Sequence, residues 1–437
     1  MKMTIATLIF LLGANVLLQA QAIPTGTAAE PRYNPGPTLP SIDGNIQYAI
    51  SLGETAQSGY FGSQGWTYTT NLSGDVEYIG RSTVRPFSML YAGGVLLSTY
   101  TNAQTQFYQS LTISQGFVGH GWAVGFSDSV SYLPQSPTTG LAGIPGVGDL
   151  GFQPTPDPTA PAQSVLTNYG KRLTNTASGN IERELNARTS ISGTGSYGIL
   201  RFLGDNVPSS NLATTALDST QITGNVSLNR RLSVRSNASV SAYYSTFSYG
   251  NNTTSFNSKG INVTFNRQMT KALSLSLSAG PQINSAYTAV TSFGNIRVPG
   301  SLNASVNAGL SYTRKFTSAS LGYSRGINAG SGVQPGARSD SVSGSLQHTI
   351  GRDWSLGFTG AFTQTTGLAL TGTTNSVFGG TQLSRRFLKS FSAYVGYTGI
   401  HQSIPAQLAG QSAFSGFSQA VSAGITFSPR AARLGQF

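Results

Sequence analysis

From about Gly44 to Phe427 the chain alternates a large apolar side chain with a small polar one, and it does so in hairpin after hairpin. Ile46, Tyr48, Ile50 and Leu52 alternate with Gln47, Ala49, Ser51 and Gly53, and Trp66, Tyr68, Leu72, Val76 and Tyr78 keep the same beat. In the second half, Ile222, Val226 and Leu228 return through Ala238, Val240, Ala242 and Tyr244, and Ile261, Val263 and Phe265 through Leu273, Leu275, Leu277 and Ala279. Successive strand residues point to opposite faces, so a period of two puts every apolar residue of a run on one face. Helical order would need a period near 3.6, and none is present.

The connections are of two kinds. Short basic turns follow one end of the strands and carry Arg230, Arg231, Arg267, Arg314, Arg352, Arg385 and Arg386; longer polar connections, Asp205 to Leu217, Ala286 to Gly300 and Gln402 to Ser415, follow the other. Membrane barrels have short periplasmic turns and long external loops, which assigns the basic turns to the periplasm. The stretch from Pro134 to Gly170 holds seven prolines and is expected to be one long loop, external or folded into the mouth. Counting strands on both sides of it gives an all-β, antiparallel up-and-down barrel of about 18 strands, with 16 to 18 as the range.

The residues between the apolar ones decide the solvent. A soluble sandwich fills its water-facing positions with Lys, Glu, Asp and Arg. Here charged residues are 9% of the chain, there are 53 glycines, and the intervening positions are Ser, Thr, Asn, Gly and Gln. Hydrocarbon against one face and a water-filled lumen against the other accounts for both sets. Tyr244, Tyr323, Trp354, Phe391 and Tyr397 fall near strand ends, as interfacial girdles require. The alternative is a water-soluble sandwich or solenoid with the same aromatics in its core.

The N-terminus agrees with export. Lys2, an apolar run from Thr4 to Leu18 and Ala20-Gln21-Ala22 read as a signal peptide over residues 1–22. Residues 23–43 read as a flexible periplasmic lead-in, 44–429 as the barrel and 430–437 as a periplasmic tail. There is no cysteine, which removes disulfides and thiol chemistry. A net charge of +12 would suit nucleic acid, but an exported chain rarely meets it.

The formula of apolar strand, basic turn and returning aromatic strand resembles that of bacterial outer-membrane β-barrel proteins of porin-like size, over nearly the whole mature chain. It is most similar to outer-membrane barrels with no assigned substrate. The resemblance implies a Gram-negative outer membrane, contact with its lipid and lipopolysaccharide and with the assembly machinery, and room for a homo-oligomer. Such proteins end in an assembly signal with a terminal aromatic. Phe437 fits, but Pro429 and the basic run Arg430 to Arg433 separate it from the last strand, so Ser422, Gly424 and Phe427 are the internal alternative.

Little in the sequence carries chemistry. His120, His348 and His401 lie on distant hairpins and form no triad or metal spacing, so no catalytic residue, metal or cofactor is expected. A lipid-facing hydrolase site at His348 is the enzymatic alternative. Asp75 and Glu77 alternate with Val76 and Tyr78 and should point into the lumen, where they steer a cation or simply keep the pore wet. Asp128 shares the register of Trp122, Phe126 and Val130, which calls for an outer-interface position or a bulge. Gly140 to Gly151 lacks the Lys-Ser/Thr of a phosphate loop. The expected function is a passive channel for small hydrophilic solutes, anion-leaning because basic residues outnumber acidic ones; the alternatives are a component of polysaccharide export or a structural or adhesion barrel.

Overall fold

The computed structural model describes residues 44–59, 65–99, 105–133, 171–203, 218–249, 254–291, 294–328, 335–369, 372–405, 415–429 and 432–434. The expected signal peptide and lead-in, the Pro134 to Gly170 loop and Phe437 lie outside them.

The first strands are β1 (Gly44–Ser58), β2 (Thr67–Gly80), β3 (Phe87–Ser98), β4 (Gln106–Gly119), β5 (Trp122–Leu133), β6 (Lys171–Asn186) and β7 (Thr189–Leu203). Next come β8 (Ser219–Ser233), β9 (Ser236–Tyr249), β10 (Thr254–Gln268), β11 (Leu273–Asn284), the short pair β12 (Tyr287–Thr291) and β13 (Gly294–Val298), and β14 (Ser301–Arg314). The chain finishes through β15 (Thr317–Asn328), β16 (Ala337–Ile350), β17 (Trp354–Gly367), β18 (Thr373–Arg386), β19 (Phe391–Ser403), β20 (Gly416–Phe427) and β21 (Ala432–Leu434).

Each long strand pairs antiparallel with the next, and β20 returns to β1 with Phe427 opposite Ile50, closing the sheet. Beyond the break at Ser428 and Pro429, β21 resumes the same edge with Leu434 opposite Gly44. The register between the two segments slips by one residue, so they form one interrupted strand and the wall has eighteen staves. A path of paired residues taken once around the wall meets β1 again twenty-two residues nearer the long-loop end. With strands ~4.8 Å apart and ~3.3 Å per residue, that stagger sets a tilt of about 40° and a backbone radius of about 18 Å. A cylinder that wide is not filled by its own side chains.

The expected register holds. Leu52, Leu72, Ile222, Val226, Val240, Ile261, Val263, Leu321, Val395 and Ile425 are exposed on the outside, while Ser51, Asn71, Ser73, Ser192, Ser258 and Thr426 between them are buried on the inside. Tyr244, Tyr323 and Tyr397 form the upper edge of the apolar belt: two residues further out the same face carries Thr246, Arg325 and Gly399. Trp354 and Phe391 open β17 and β19 at the lower edge. The lower connections are tight; His120 and Gly121 alone join β4 to β5, with Gly121 at φ 69°, a conformation that favours glycine. The arginines expected at the turns lie there: Arg230, Arg231, Arg267, Arg314, Arg385 and Arg386 in the last residues of their strands, and Arg352 in the β16–β17 turn.

Asp128 is a correction. Pairing of β4 with β5 and of β5 with β6 runs without a shift, so no bulge re-aims it, and it lies midway along β5 rather than at its outer end. Its carboxylate accepts a hydrogen bond at 2.7 Å from Nδ2 of Asn175, an outward neighbour on β6. A local partner, not a change of register, accommodates the charge.

Candidate functional site

The inner surface is built from the positions the sequence leaves small. Hydroxyls of facing strands bond to each other around the wall: Ser51 with Thr426 at 2.9 Å, Ser192 with Ser227 at 2.6 Å, and Ser127 with Ser178 at 2.7 Å. These groups satisfy one another locally, which leaves the wall hydrophilic without long side chains projecting inward.

Three tyrosines break the rule of small residues, and each lies over a glycine of the neighbouring strand. Tyr108 of β4 crosses Gly94 of β3 and donates to Oδ1 of Asn71 on β2 at 3.1 Å. Tyr243 of β9 covers Gly260 of β10, and Tyr394 of β19 crosses Gly424 of β20 toward Gly53 of β1. A Cβ on Gly94 would stand 2.5 Å from the Tyr108 hydroxyl and 2.6 Å from the Leu72 carbonyl, so glycine is what lets the ring lie along the wall. Tyr108 and Tyr394 approach the β1–β3 face from opposite sides of the seam.

Asp75 and Glu77 belong to that face. Both are on the inner register of β2, with Asp75 opposite Ala49 and Ala92 and only 8% exposed. Glu182 of β6 is also inward and accepts a hydrogen bond from Ser190 at 2.7 Å. Against these three carboxylates, the inner positions between the lower rim and the tyrosine belt carry no lysine or arginine among the described residues. The chain's excess of positive charge stands elsewhere: Arg230, Arg267, Arg314, Arg385, Lys259, Arg325 and Arg338 have the outward register, and Arg231 and Arg386 sit at the lower rim. Net charge alone is no guide to the lumen, because alternation sends Arg230, Arg267, Arg314 and Arg385 to the outward face.

The mouth holds a device that the sequence reading missed. The stretch from Ala286 to Gly300, expected as an open external loop, contains the β12–β13 hairpin at that end of the barrel. Tyr287, Ala289 and Val298 are buried, with exposed Thr288 and Arg297 on the other face. They pack on inward side chains of β9 and β10: Phe256 stacks on Phe247 at 4.8 Å and on Tyr287 at 4.9 Å, with Tyr249 at 6.2 Å. Ile327, Leu368 and Ala369 complete the cluster, and the Tyr287 hydroxyl donates to the Pro335 carbonyl at 2.7 Å. The cluster therefore links the end of β9 and β10 to residues flanking β16 and β17, a chord over four of the eighteen staves. Burial pushes the Tyr287 phenol above the usual tyrosine range. The signal was present as the alternation of Tyr287, Ala289 and Val298 around polar residues, but so short a run is indistinguishable from a loop.

The remaining candidates are dispersed. His120 is in the β4–β5 turn, His401 near the outer end of β19, and His348 outward near the lower end of β16, where its Nδ1 pairs with Thr317 Oγ1 at 2.8 Å. Ser422 and Gly424 face inward on β20, Gly424 beneath Tyr394 and Ser422 opposite Gly396, while Phe427 faces outward at the seam, 4.9 Å from the Phe391 ring and 6.4 Å from Tyr48.

No protein-family model matches the sequence, and no curated protein matches it. Solved structures with similar folds include OpdQ of Pseudomonas aeruginosa, at 8% identity over 90% of this chain and 99% of that one with a TM-score of 0.43. OccAB4 of Acinetobacter baumannii is similar at 8% identity over 89% and 98%, TM-score 0.43. The ferric-catecholate import receptor Fiu of E. coli is similar at 11% identity over 89% and 82%, TM-score 0.40.

Proposed function

We propose that the protein is an outer-membrane channel through which small hydrophilic solutes diffuse, with a preference for cations. One observation supports the reading above others: a closed eighteen-strand wall, too wide for its own side chains to fill, is apolar outside and lined inside by hydroxyls and carboxylates. Hydrocarbon solvates the first surface and water the second. Asp75, Glu77 and Glu182 supply the field that favours cations, because a charge inside a low-dielectric wall is screened less than one on an open surface.

Planar-bilayer recording of the refolded chain tests both parts. Stepwise conductance is expected, with a reversal potential in a KCl gradient that reports K⁺ over Cl⁻. The triple change Asp75→Asn, Glu77→Gln and Glu182→Gln should bring the ratio toward unity with little change in unitary conductance. An unaltered ratio would remove these carboxylates from the mechanism, and absence of conductance would remove the pore itself.

A further inference from the structure

We infer that the mouth end of β14 is a docking edge for an extended, acidic peptide segment of a partner protein, which adds to the wall as a short strand where β15 leaves it. The inference does not depend on the barrel conducting solutes.

β14 pairs with β11 along its whole length, from Ser301 to Tyr312, yet its pairing with β15 stops at Val306 opposite Arg325. β15 itself continues to Asn328, still paired with β16. Its tip turns to the lumen side of β14: the Ile327 N–H donates at 3.2 Å to Oε1 of Gln282, an inner side chain of β11, and the Ile327 side chain is buried in the cluster of Phe256 and Tyr287. Burial of that apolar side chain and the bond to Gln282 take the place of the ladder.

The departure gives β14 a free edge. In an antiparallel sheet, alternate residues turn their N–H and C=O groups to opposite neighbours. The Thr313 N–H donates to the Ala272 carbonyl at the foot of β11, so odd positions of β14 serve β11 and even positions serve β15. Beyond Val306 the even positions are Ala304 and Leu302, and among the described residues no strand stands opposite them. A row of unpaired donors and acceptors is a template for another strand.

Beside that edge lies a groove of about 600 Å³ that reaches Arg325 and Arg338. Asn303 and Ser305 of the inner register line it together with Pro281 and Ala304 of the outer one, as a gap between strands requires, and Leu302 at its border is 72% exposed. Arg325 and Arg338 share the face of Ile327 and turn with it toward the groove. Asp340 pairs with both, at 3.5 Å and 4.0 Å, and Nε of each arginine is buried without a hydrogen-bond partner among the described residues. Two guanidiniums that share one carboxylate keep a net positive charge. Main-chain bonds to β14 supply affinity for an extended peptide, and carboxylates on its alternate side chains meet the guanidiniums.

Fluorescence anisotropy tests the inference, with a labelled hexapeptide alternating valine and glutamate titrated by the refolded full chain in neutral detergent. Two further probes carry N-methyl groups on one or the other alternate set of amides. The parent peptide is expected to bind; methylation of the set that faces β14 should weaken it about tenfold, the worth of one or two backbone hydrogen bonds, and methylation of the other set should not. A hexapeptide alternating valine and lysine should bind about tenfold less tightly, and Arg325→Gln with Arg338→Gln should remove that difference. Ala304→Pro deletes an edge-facing donor and no bond to β11, so it should weaken the parent about tenfold while the heat-modifiable folded fraction stays unchanged. If that variant fails to fold, the methylated peptides carry the test. Attachment to the arginine turns of the other rim would depend on charge alone and give both methylated peptides equal affinity. That equality, equal binding of the lysine peptide, undiminished binding to folded Ala304→Pro or no binding of the parent would each overturn the inference.

Discussion

Tyr108 and Gly94 show how much of the lumen depends on single atoms. The ring stays along the wall because Gly94 has no side chain, and its hydroxyl then reaches Asn71 two strands away. Gly94→Ala drives a methyl into the phenol and the Leu72 carbonyl, an overpacking expected to cost about 1–3 kcal/mol. The ring's free direction is the lumen, so unitary conductance should fall as stability does. Tyr108→Ala on the same background should recover conductance beyond the single variant; denaturant unfolding in vesicles and bilayer recording read the two effects separately. Asp128 makes a related point: the sequence marks a carboxylate on the wrong face, and only the structure reveals that Asn175 stands within hydrogen-bond reach.

Among the elements, the β12–β13 hairpin is the one whose position depends on docking, not on the ladder. Its hold is the Phe247–Phe256–Tyr287 stack and the Tyr287 bond to Pro335. Tyr287→Phe should weaken docking by about 1 kcal/mol, the net worth of one such bond. Because burial raises the phenol's pKa, the docked form is favoured while the phenol is neutral, and this contribution is complete below the free tyrosine value of about 10. It is lost as pH rises above that value toward the raised one. Conductance of the native channel should therefore increase reversibly above about pH 10, and Tyr287→Phe should weaken that response, the rest belonging to the buried Tyr249 phenol of the same cluster, whose pKa burial also raises. A pH-independent conductance in the native protein would show that the chord does not restrict flow.

At the scale of the whole molecule, the barrel exists only if its last strand finds its first. The seam joins residues almost the full chain apart, Ile50 with Phe427 and Gly44 with Leu434, so it is the pairing with the greatest loop-closure cost. On the lipid side, Phe427 meets Phe391 and Tyr48 there. Phe427→Ala removes both ring contacts and is expected to cost about 2 kcal/mol, below the loss in a buried core because lipid refills part of the space. The measurable result is a smaller fraction of heat-modifiable, folded barrel after refolding, whereas Val234→Ala, in a lower turn and 86% exposed, should leave that fraction unchanged.

Period-two alternation determined the strands, their outward register and, through the lengths of the connections, which end carries the tight turns. Each of these is a local property, decided by neighbours two residues apart or by the span of a turn. The tertiary structure alone decided the rest. Whether Asp75 and Glu182 share a lumen, which inner tyrosine lies over which glycine, how twenty-two residues of stagger set the radius, and where Tyr287 docks all depend on pairing between strands far apart in sequence. The net charge of +12 illustrates the difference: composition counts the arginines, but only closure of the wall separates those on its outward face from the carboxylates on its inner face.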